Sequence, residues 1–307
     1  MLANFFGKSK PVNFIVIFAL FLAYILVNMI TNTGLQLTVS AILDILAVLP
    51  GMLLLFFLFN FILVKNKLTK DNTFAFLLFV IGIGLLDNLV LDYAIIGEYL
   101  LLLLFLRKVY TIRTQKAIYQ KLFDGGLWIG VLILFSPLYV LFLILLFAAI
   151  NLFLKITLRV LVIPFLGFII PILFFFTYHF YHDTITEFYA FLSPDLYIDL
   201  SFYNTSFYLS IFIVFGFLVL MSVMILSGKI FSVNNLFKRS WILLIIHAII
   251  ALAFSCFVVN KTGVELFVFF IPVSILIANW LQRIKKKLYV NLIVGFLLVF
   301  SVVIHFI

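Results

Sequence analysis

Long apolar segments recur along the whole of this 307-residue chain and restrict its fold more than any other feature. A helix needs about 20 residues to cross the hydrocarbon core of a membrane. With 67% hydrophobic and 10% charged residues, the chain has too little polar surface for a water-soluble domain. The segments are continuous rather than alternating in polarity, unlike the strands of a membrane β-barrel. The sequence therefore predicts an all-α fold, a polytopic transmembrane helical bundle.

Polar breaks divide the apolar sequence into about eleven predicted spans. Lys8 and Lys10 precede the first span, which is longer than the core of a signal peptide and lacks a small-residue cleavage site, so we expect it to be retained. Residues 1–307 are expected to form a single integral membrane domain without a separate soluble domain. The predicted spans are 13–31, 38–64, 73–90, 91–106, 125–136, 138–154, 160–178, 207–227, 240–259, 264–281 and 288–306.

The basic residues predict the orientation of these spans. The chain has 20 Lys and Arg, 11 Asp and Glu, and a net charge of +9. If the N-terminus is cytoplasmic and the spans alternate, 19 of the 20 basic residues face the cytoplasm and only Lys261 lies outside. Cytoplasmic loops of membrane proteins are enriched in Lys and Arg. The positive charge then reflects topology and attraction to anionic lipids, and no nucleic-acid partner is expected.

The stretch FDGGLWIGVLILFSPLYVLFLILL is interrupted by Ser136 and Pro137. Basic residues flank it on both sides, in 107–121 before it and at Lys155 and Arg159 after it. One kinked span would place these two groups on opposite sides of the membrane, whereas two short helices would place both in the cytoplasm. We therefore predict a short-helix hairpin at 125–154.

Two polar segments are long enough to carry structure of their own. The outer segment, 180–206, is rich in tyrosine and acidic residues, and its first half is expected to form a short helix at the outer interface. The inner segment, 107–124, is compatible with either an interfacial helix or a solvated loop. The candidate functional residues of the outer segment are Glu187, Asp195 and Asp199.

Carboxyl groups inside the predicted spans are the first candidates for a functional site. Asp44 and Glu98 each lie about six residues, or roughly 9 Å, below the outer ends of their spans. Ionisable side chains at this depth usually face a cavity or the bundle interior. We expect an outward cavity with Asp87 and Asp92 at its mouth; alternatively, the buried carboxyls serve packing through interhelical hydrogen bonds. Ser136 and Pro137 are predicted to line the same cavity.

Histidines suggest a second type of site. His179 and His182 are three residues apart and, with Asp183 or Glu187, could hold a divalent metal on the outer side. The alternative is an accidental pair at the interfacial end of a span. His247, near the middle of its span, is expected to make an interhelical hydrogen bond, with a proton relay as the other possibility. No cofactor is otherwise indicated.

The segment FDGGLWIGVLILFSPLYVLFLILLFAAINLFLKITLRVLVIPFLGFIIPILFFFTY resembles a family of uncharacterised bacterial polytopic membrane proteins. The shared elements are small residues entering a short helix, then a proline break, then a G-x-x-x-P segment. The resemblance implies the inner (cytoplasmic) membrane of a bacterium with two membranes. The residues that carry it are Asp124, Gly125, Gly126, Gly130, Gly167 and Pro171.

More distantly, LLDNLVLDYAIIGEYLLLLLFLRK is similar to the acid-then-helix pattern of C-type glycosyltransferases, which take sugars from polyprenyl-phosphate carriers. The similarity implies that Asp87 or Asp92 is the catalytic base. The chain departs from that family because its first outer loop, NTGLQLT, lacks an acid and its predicted outer side lacks arginine.

These observations lead to three functional expectations. The first is a glycosyltransferase-like protein that handles a lipid-linked envelope precursor, with membrane lipids and a polyprenyl-linked lipid as partners. The second is a non-enzymatic scaffold that binds other envelope membrane proteins in an assembly or secretion complex. The third is a transporter with Asp44, Glu98 and His247 as a proton path, which the absence of a matching pair of broken helices disfavours.

Overall fold

The computed structural model describes residues 1–33, 39–86, 93–193, 198–228, 234–259 and 261–306, including their side chains except at 28–33, 39–46 and 306. All regular secondary structure in these ranges is helical. The helices are α1 (Leu2–Phe6), α2 (Pro11–Thr33), α3 (Val39–Lys65), α4 (Phe74–Gly84), α5 (Tyr93–Thr111), α6 (Ile118–Ile133), α7 (Leu141–Phe153), α8 (Leu158–Tyr181), α9 (Ile185–Leu192), α10 (Ser206–Ser227), α11 (Asn235–Phe257), α12 (Leu266–Leu281) and α13 (Lys287–Val303).

Each of the eleven apolar runs overlaps one helix. The match is poorest for 73–90, because α4 ends at Gly84 and residues 87–90 lie outside the described ranges. Helix α9 is the short helix expected in the outer segment. The five-residue helix α1 was not predicted. The inner segment 107–124 is neither a separate interfacial helix nor a loop. It comprises the end of α5, the 3-10 turn Ile112–Thr114 and the start of α6, with left-handed backbone at Gln115 and Ala117.

Helices α4 and α12 form the centre of the bundle. Every residue of α4 is buried, and so is every residue of α12 except Trp280. A helix that is apolar on all sides has no face suited to water and packs in the interior. The two helices are in direct contact, because a Cβ atom added at Gly82 would overlap the ring of Phe270. On another side of α4, the Phe79 ring stacks on Phe59 of α3 at a centroid distance of 3.9 Å.

Helices α6 and α8 make an unusually close contact through glycine. A Cβ atom added at Gly126 would overlap the carbonyl of Pro164, and one at Gly130 would overlap the carbonyl of Phe168. Glycines four residues apart allow helix backbones to approach in this way. Since the contact residues advance together along both helices, α6 and α8 run parallel.

The chain between α6 and α8 reverses direction. Pro137 begins a 3-10 turn, Pro137–Val140, which leads directly into α7. The side-chain amide of Gln115, just before α6, donates to the carbonyl of Phe153 at the end of α7 (2.8 Å). Residues 118–153 therefore form two short helices of opposite direction, with 16 and 13 residues, rather than one kinked helix.

Other helix pairs follow the same alternation. Gly51, midway along α3, faces Ile96 near the start of α5. Just beyond the ends of the two helices, Arg113 donates to the Asn66 carbonyl (2.6 Å). These helices are parallel and their ends lie together. The same holds for α2 with α4 and for α10 with α12. One end of the bundle consequently contains the starts of six helices and the ends of five. The six that start there are α2, α4, α6, α8, α11 and α13, and the five that end there are α3, α5, α7, α10 and α12.

Charge divides unequally between the two ends. Among the residues that the structure describes, 18 of the 19 Lys and Arg lie at the end just defined, which we call the basic end. The remaining one, Lys261, lies at the opposite end. We call this opposite end the acidic end, because it contains most of the described carboxyl groups: Glu98, Asp183, Glu187, Asp199 and Glu265.

Among the residues whose side chains the structure describes, four helical segments are long and apolar enough to cross a membrane: α3 from Ala47 to Lys65, α8, α10 and α11. Helices α4 and α12 are shorter, with 11 and 16 residues. Eleven complete crossings and the side occupied by the N-terminus therefore stay predictions. The outer helices present large apolar side chains to their surroundings, including Phe174 (74% exposed) and Leu220 (64%), as a lipid environment favours.

Candidate functional site

A cavity of about 620 Å³ opens at the acidic end. It forms where the 3-10 turn Ser201–Tyr203, the start of α10 and the segment before α12 meet. The Thr205 side chain caps α10 by accepting from the Tyr208 amide (3.4 Å). The lining residues are Asp199, Ser201, Phe202, Thr205, Tyr208, Val259 and Lys261.

The cavity contains one carboxylate and one ammonium group. The carboxylate of Asp199 accepts a hydrogen bond from the Ser201 amide (2.8 Å). Hydrogen bonds from Ser201 lower the pKa of the Asp199 carboxyl below its ordinary value of 3.8. The ammonium of Lys261 donates to the Val258 carbonyl (2.6 Å) and lies 5.9 Å from the centre of the Tyr203 ring. The cavity therefore combines an acidic and a basic side chain and offers polar and ionic contacts to a ligand.

A buried carboxylate supports this cavity from below. Glu265 is 5% exposed and accepts from the Tyr203 hydroxyl and from the amides of Thr262 and Gly263 (3.2 Å each). Gly263 has a φ of +84°, which glycine adopts without strain, and a Cβ atom there would overlap the Tyr208 hydroxyl. Burial, followed by the nearby Glu265 charge, raises the pKa of Tyr203. Glu265 thus fixes the turn that carries Lys261.

The structure connects Glu98 with the reversal between α6 and α7. The Tyr139 hydroxyl donates to the Glu98 carboxylate, and Tyr139 belongs to the turn that follows Ser136 and Pro137. Glu98 is therefore held by an interhelical hydrogen bond of the kind that serves packing. The side chain of Asp44 lies outside the described residues, as do Asp87, Asp92 and Asp195.

The histidine pair at the end of α8 does not form the predicted metal site. Across the described ranges, no group of three His, Cys, Asp or Glu side chains could hold a metal ion, and His179, His182 and Asp183 are no exception. The His179 ring nitrogen Nδ1 instead makes a hydrogen bond with the Thr184 hydroxyl (2.7 Å). His182 packs on the Tyr178 ring with 4.5 Å between ring centres. Glu187 is exposed in the first turn of α9.

His247 makes the interhelical hydrogen bond that the sequence suggested. Its Nδ1 atom lies 2.8 Å from the hydroxyl of Tyr110 on α5, and both side chains are buried. The Nε2 atom is buried without a hydrogen-bond partner among the described residues. This pair joins α5 to α11 in the interior.

A second cavity, of about 650 Å³, opens at the basic end. We call it the basic-end cavity. Its lining comes from the end of α3, the segment between α3 and α4, the turn after α5, the start of α11 and the end of α12. The lining residues are Ser9, Asn60, Leu63, Val64, Lys67, Thr69, Lys70, Asp71, Asn72, Arg113, Asn234, Phe237, Gln282 and Arg283.

Amide side chains hold the segment between α3 and α4 in place beside this cavity. The Asn279 amide donates to the Leu68 carbonyl (2.9 Å), and the Gln282 amide donates to the Asn279 oxygen (2.7 Å). The Gln282 oxygen accepts from the Lys70 backbone amide (3.0 Å) and from the Asn72 side chain (2.8 Å). Three of these four bonds link residues more than 200 positions apart, and together they fix the geometry of the lining.

From the sequence, the basic residues of the basic-end cavity were interpreted only as indicators of membrane orientation. Lys67, Arg113 and Arg283 come from three distant segments, and no local pattern indicates that they share a cavity. The buried position of Glu265 was not predicted. The close Thr262-Gly263-x-Glu265 spacing is the one local signal for it, since a glycine turn places backbone amides near a following carboxylate.

Comparison with known proteins adds no relationship. No protein-family model matches the chain, and no curated protein or solved structure is significantly similar to it.

Proposed function

We propose that this chain is a multi-pass protein of the bacterial inner membrane that handles a lipid-linked precursor of the cell envelope. In this proposal the N-terminus and the basic end face the cytoplasm, and the acidic end faces outward. Asp87 and Asp92 act as catalytic acid or base groups in a reaction like that of C-type glycosyltransferases.

The unequal charge of the two ends is the observation that supports the orientation. Eighteen of the 19 described basic residues are at one end, as expected for the cytoplasmic side of a membrane protein. A cavity at the acidic end, with Asp199 and Lys261 in its lining, supports an outward site for a polar or ionic substrate group. Lys261 is the group that would oppose the negative charge of a phosphate there.

Cysteine labelling tests the orientation. Cys256 is first replaced by Ala, and single cysteines are placed at the exposed positions Lys285 and Glu187. In intact spheroplasts, an impermeant maleimide should label Glu187→Cys and leave Lys285→Cys unlabelled until the membrane is permeabilised. The reverse pattern would contradict the orientation.

Copurified lipid and mutation test the proposed chemistry. Protein purified in mild detergent should retain polyprenyl phosphate or a sugar derivative detectable by mass spectrometry. The double variant Asp87→Asn/Asp92→Asn should be made and inserted normally but lose lipid-dependent sugar transfer. Lys285→Gln, which removes an exposed charge at the opposite end, is the control and should retain transfer. Undiminished transfer by the double variant would exclude Asp87 and Asp92 as catalytic residues.

A further inference from the structure

The basic-end cavity has a charge balance suited to an anion. Four cationic side chains line it, and Asp71 is the single acidic one among its described lining residues. The only ion pair in the described ranges joins Lys108 to Asp124 (2.5 Å), and neither residue lines the cavity. The cavity therefore holds cationic groups whose charge no ion pair balances: Lys67, Lys70, Arg113 and Arg283.

Arg283 contributes a hydrogen-bond donor with no partner. Its guanidinium group lies over the Phe237 ring, with 5.1 Å between its Cζ atom and the ring centre. Its Nε atom is buried and has no hydrogen-bond partner among the described residues. Buried donors are nearly always paired, so an unpaired one in a cavity indicates a place for an acceptor group. Arginine at a fixed position is well matched to the oxygens of phosphate.

The shape of the cavity indicates how a ligand reaches it. Asn60, Leu63 and Val64 follow the i, i+3, i+4 spacing of one face of α3, and Lys67 lines the cavity from the turn after this helix. Asn60 lies five residues before the end of α3, about 7 Å inside the bundle. Val64 is 67% exposed, so the lining continues onto the outer surface of the bundle, which meets lipid. The cavity thus joins a cationic end to an apolar side.

We propose that the basic-end cavity binds the phosphoryl group of a phosphate-bearing lipid. The phosphate oxygens accept hydrogen bonds from Arg283 and charge-assisted hydrogen bonds from Lys67 and Lys70. The lipid chain extends from the cavity along the side of α3 that carries Val64. Its placement in the cytoplasmic leaflet rests on the proposed function, whereas the binding itself does not. This site is separate from the outward cavity at the acidic end.

The test measures ligand-dependent thermal stability of the full-length protein purified in dodecyl maltoside. The probes are farnesyl phosphate, farnesol, which has the same chain without the phosphate, and inorganic phosphate. The wild-type protein should show a saturable rise in unfolding midpoint with farnesyl phosphate and none with farnesol. Lys67→Gln and Arg283→Gln should each raise the half-saturating concentration about tenfold, because each removes a charge-assisted contact.

Lys65→Gln is the matched control, because it removes the same charge two residues away from a position outside the lining. It should change the half-saturating concentration by less than about twofold, since surface charges at this separation act weakly. If Arg283→Gln fails to fold, Lys67→Gln/Lys70→Gln provides the same comparison with two exposed residues.

Each outcome decides one part of the proposal. Equal responses of the wild-type protein and the cavity variants to farnesyl phosphate would overturn the site. An equal response to farnesol would overturn phosphate recognition. A response to inorganic phosphate at the same half-saturating concentration would retain the anion site and overturn the assignment to lipid. Because binding in detergent does not depend on orientation, a failure of the labelling experiment would affect the proposed function alone.

Discussion

The two ends of the bundle have cavities of similar volume but different chemistry. The acidic-end cavity has one carboxylate and one ammonium, each already engaged by backbone groups. The basic-end cavity has four cations, one acid and an unpaired buried donor. Backbone bonds alone do not separate the two cavities, because Arg113 at the basic end donates to a carbonyl just as Lys261 does. The excess of cationic groups at the basic end favours an anionic ligand, whereas the acidic-end cavity offers one charged group of each sign.

The largest effect is expected from separating α6 and α8, which line neither cavity but pack backbone to backbone. Gly126→Leu would force a side chain into the backbone of Pro164 and should lower the free energy of unfolding by more than about 4 kcal/mol. Gly216→Leu is the matched control, because an added Cβ there meets nothing within 4 Å. Fluorescence-detected size exclusion after heating measures both. A Gly126 variant as stable as the control would show that the helices are not in close contact.

The next effect concerns the acidic end alone. Glu265→Gln replaces one carboxylate oxygen by an amide nitrogen, so either the Thr262 or the Gly263 amide loses its acceptor, at a cost of about 2–3 kcal/mol. The thermal midpoint should fall, while farnesyl phosphate binding at the basic end should persist. Glu187→Gln, at an exposed position, should change stability by less than about 0.5 kcal/mol. Loss of ligand binding in Glu265→Gln would mean that the two ends are coupled.

A somewhat smaller effect should be confined to the basic end. Asn279→Leu keeps a similar volume but leaves the Leu68 carbonyl and the Gln282 amide unpaired, at a cost of about 1–2 kcal/mol. Because the segment between α3 and α4 loses an anchor, farnesyl phosphate should also bind more weakly. Titration of the thermal midpoint measures both quantities. Unchanged affinity would indicate that this anchor does not shape the cavity.

The smallest effect is a pH dependence at the acidic end. Asp199 has a folded-state pKa below its ordinary value of 3.8 because hydrogen bonds from the side chain and then the backbone amide of Ser201 stabilise its carboxylate. A lowered pKa stabilises the folded state above the unfolded pKa, and this contribution disappears as the pH falls through the folded pKa. Wild-type protein should therefore lose slightly more stability than Asp199→Asn between pH 5 and pH 3 in about 0.15 M salt. Thermal melts of the two proteins over this pH range measure the difference. An equal fall of both midpoints would contradict the prediction.

The fold was largely predictable, because apolar length and polar breaks are local properties. The positions of the eleven apolar helices were predicted from the apolar runs. The reversal near Ser136 was predicted from the positions of the basic residues on either side of it. Boundaries were less predictable. Helix α6 begins at Ile118, but the polar residues of its first turn resemble a loop in the sequence, and the predicted span began only at residue 125. The candidate site was much less predictable. Glu98 was placed in a cavity with Asp44, yet its carboxylate is held by Tyr139 from a neighbouring turn.

The sequence by itself determined the helical class, the order of the helices and the separation of charge. These depend on hydrophobicity and on the side of the membrane to which a charged loop can be assigned. Only the tertiary structure decided which polar groups meet, such as Arg283 with Phe237 and Asn279 with Leu68. The physical reason is that such contacts join residues far apart in the chain, and helix packing fixes them through shape rather than composition. The basic-end cavity exists because helix ends and turns from distant parts of the chain converge.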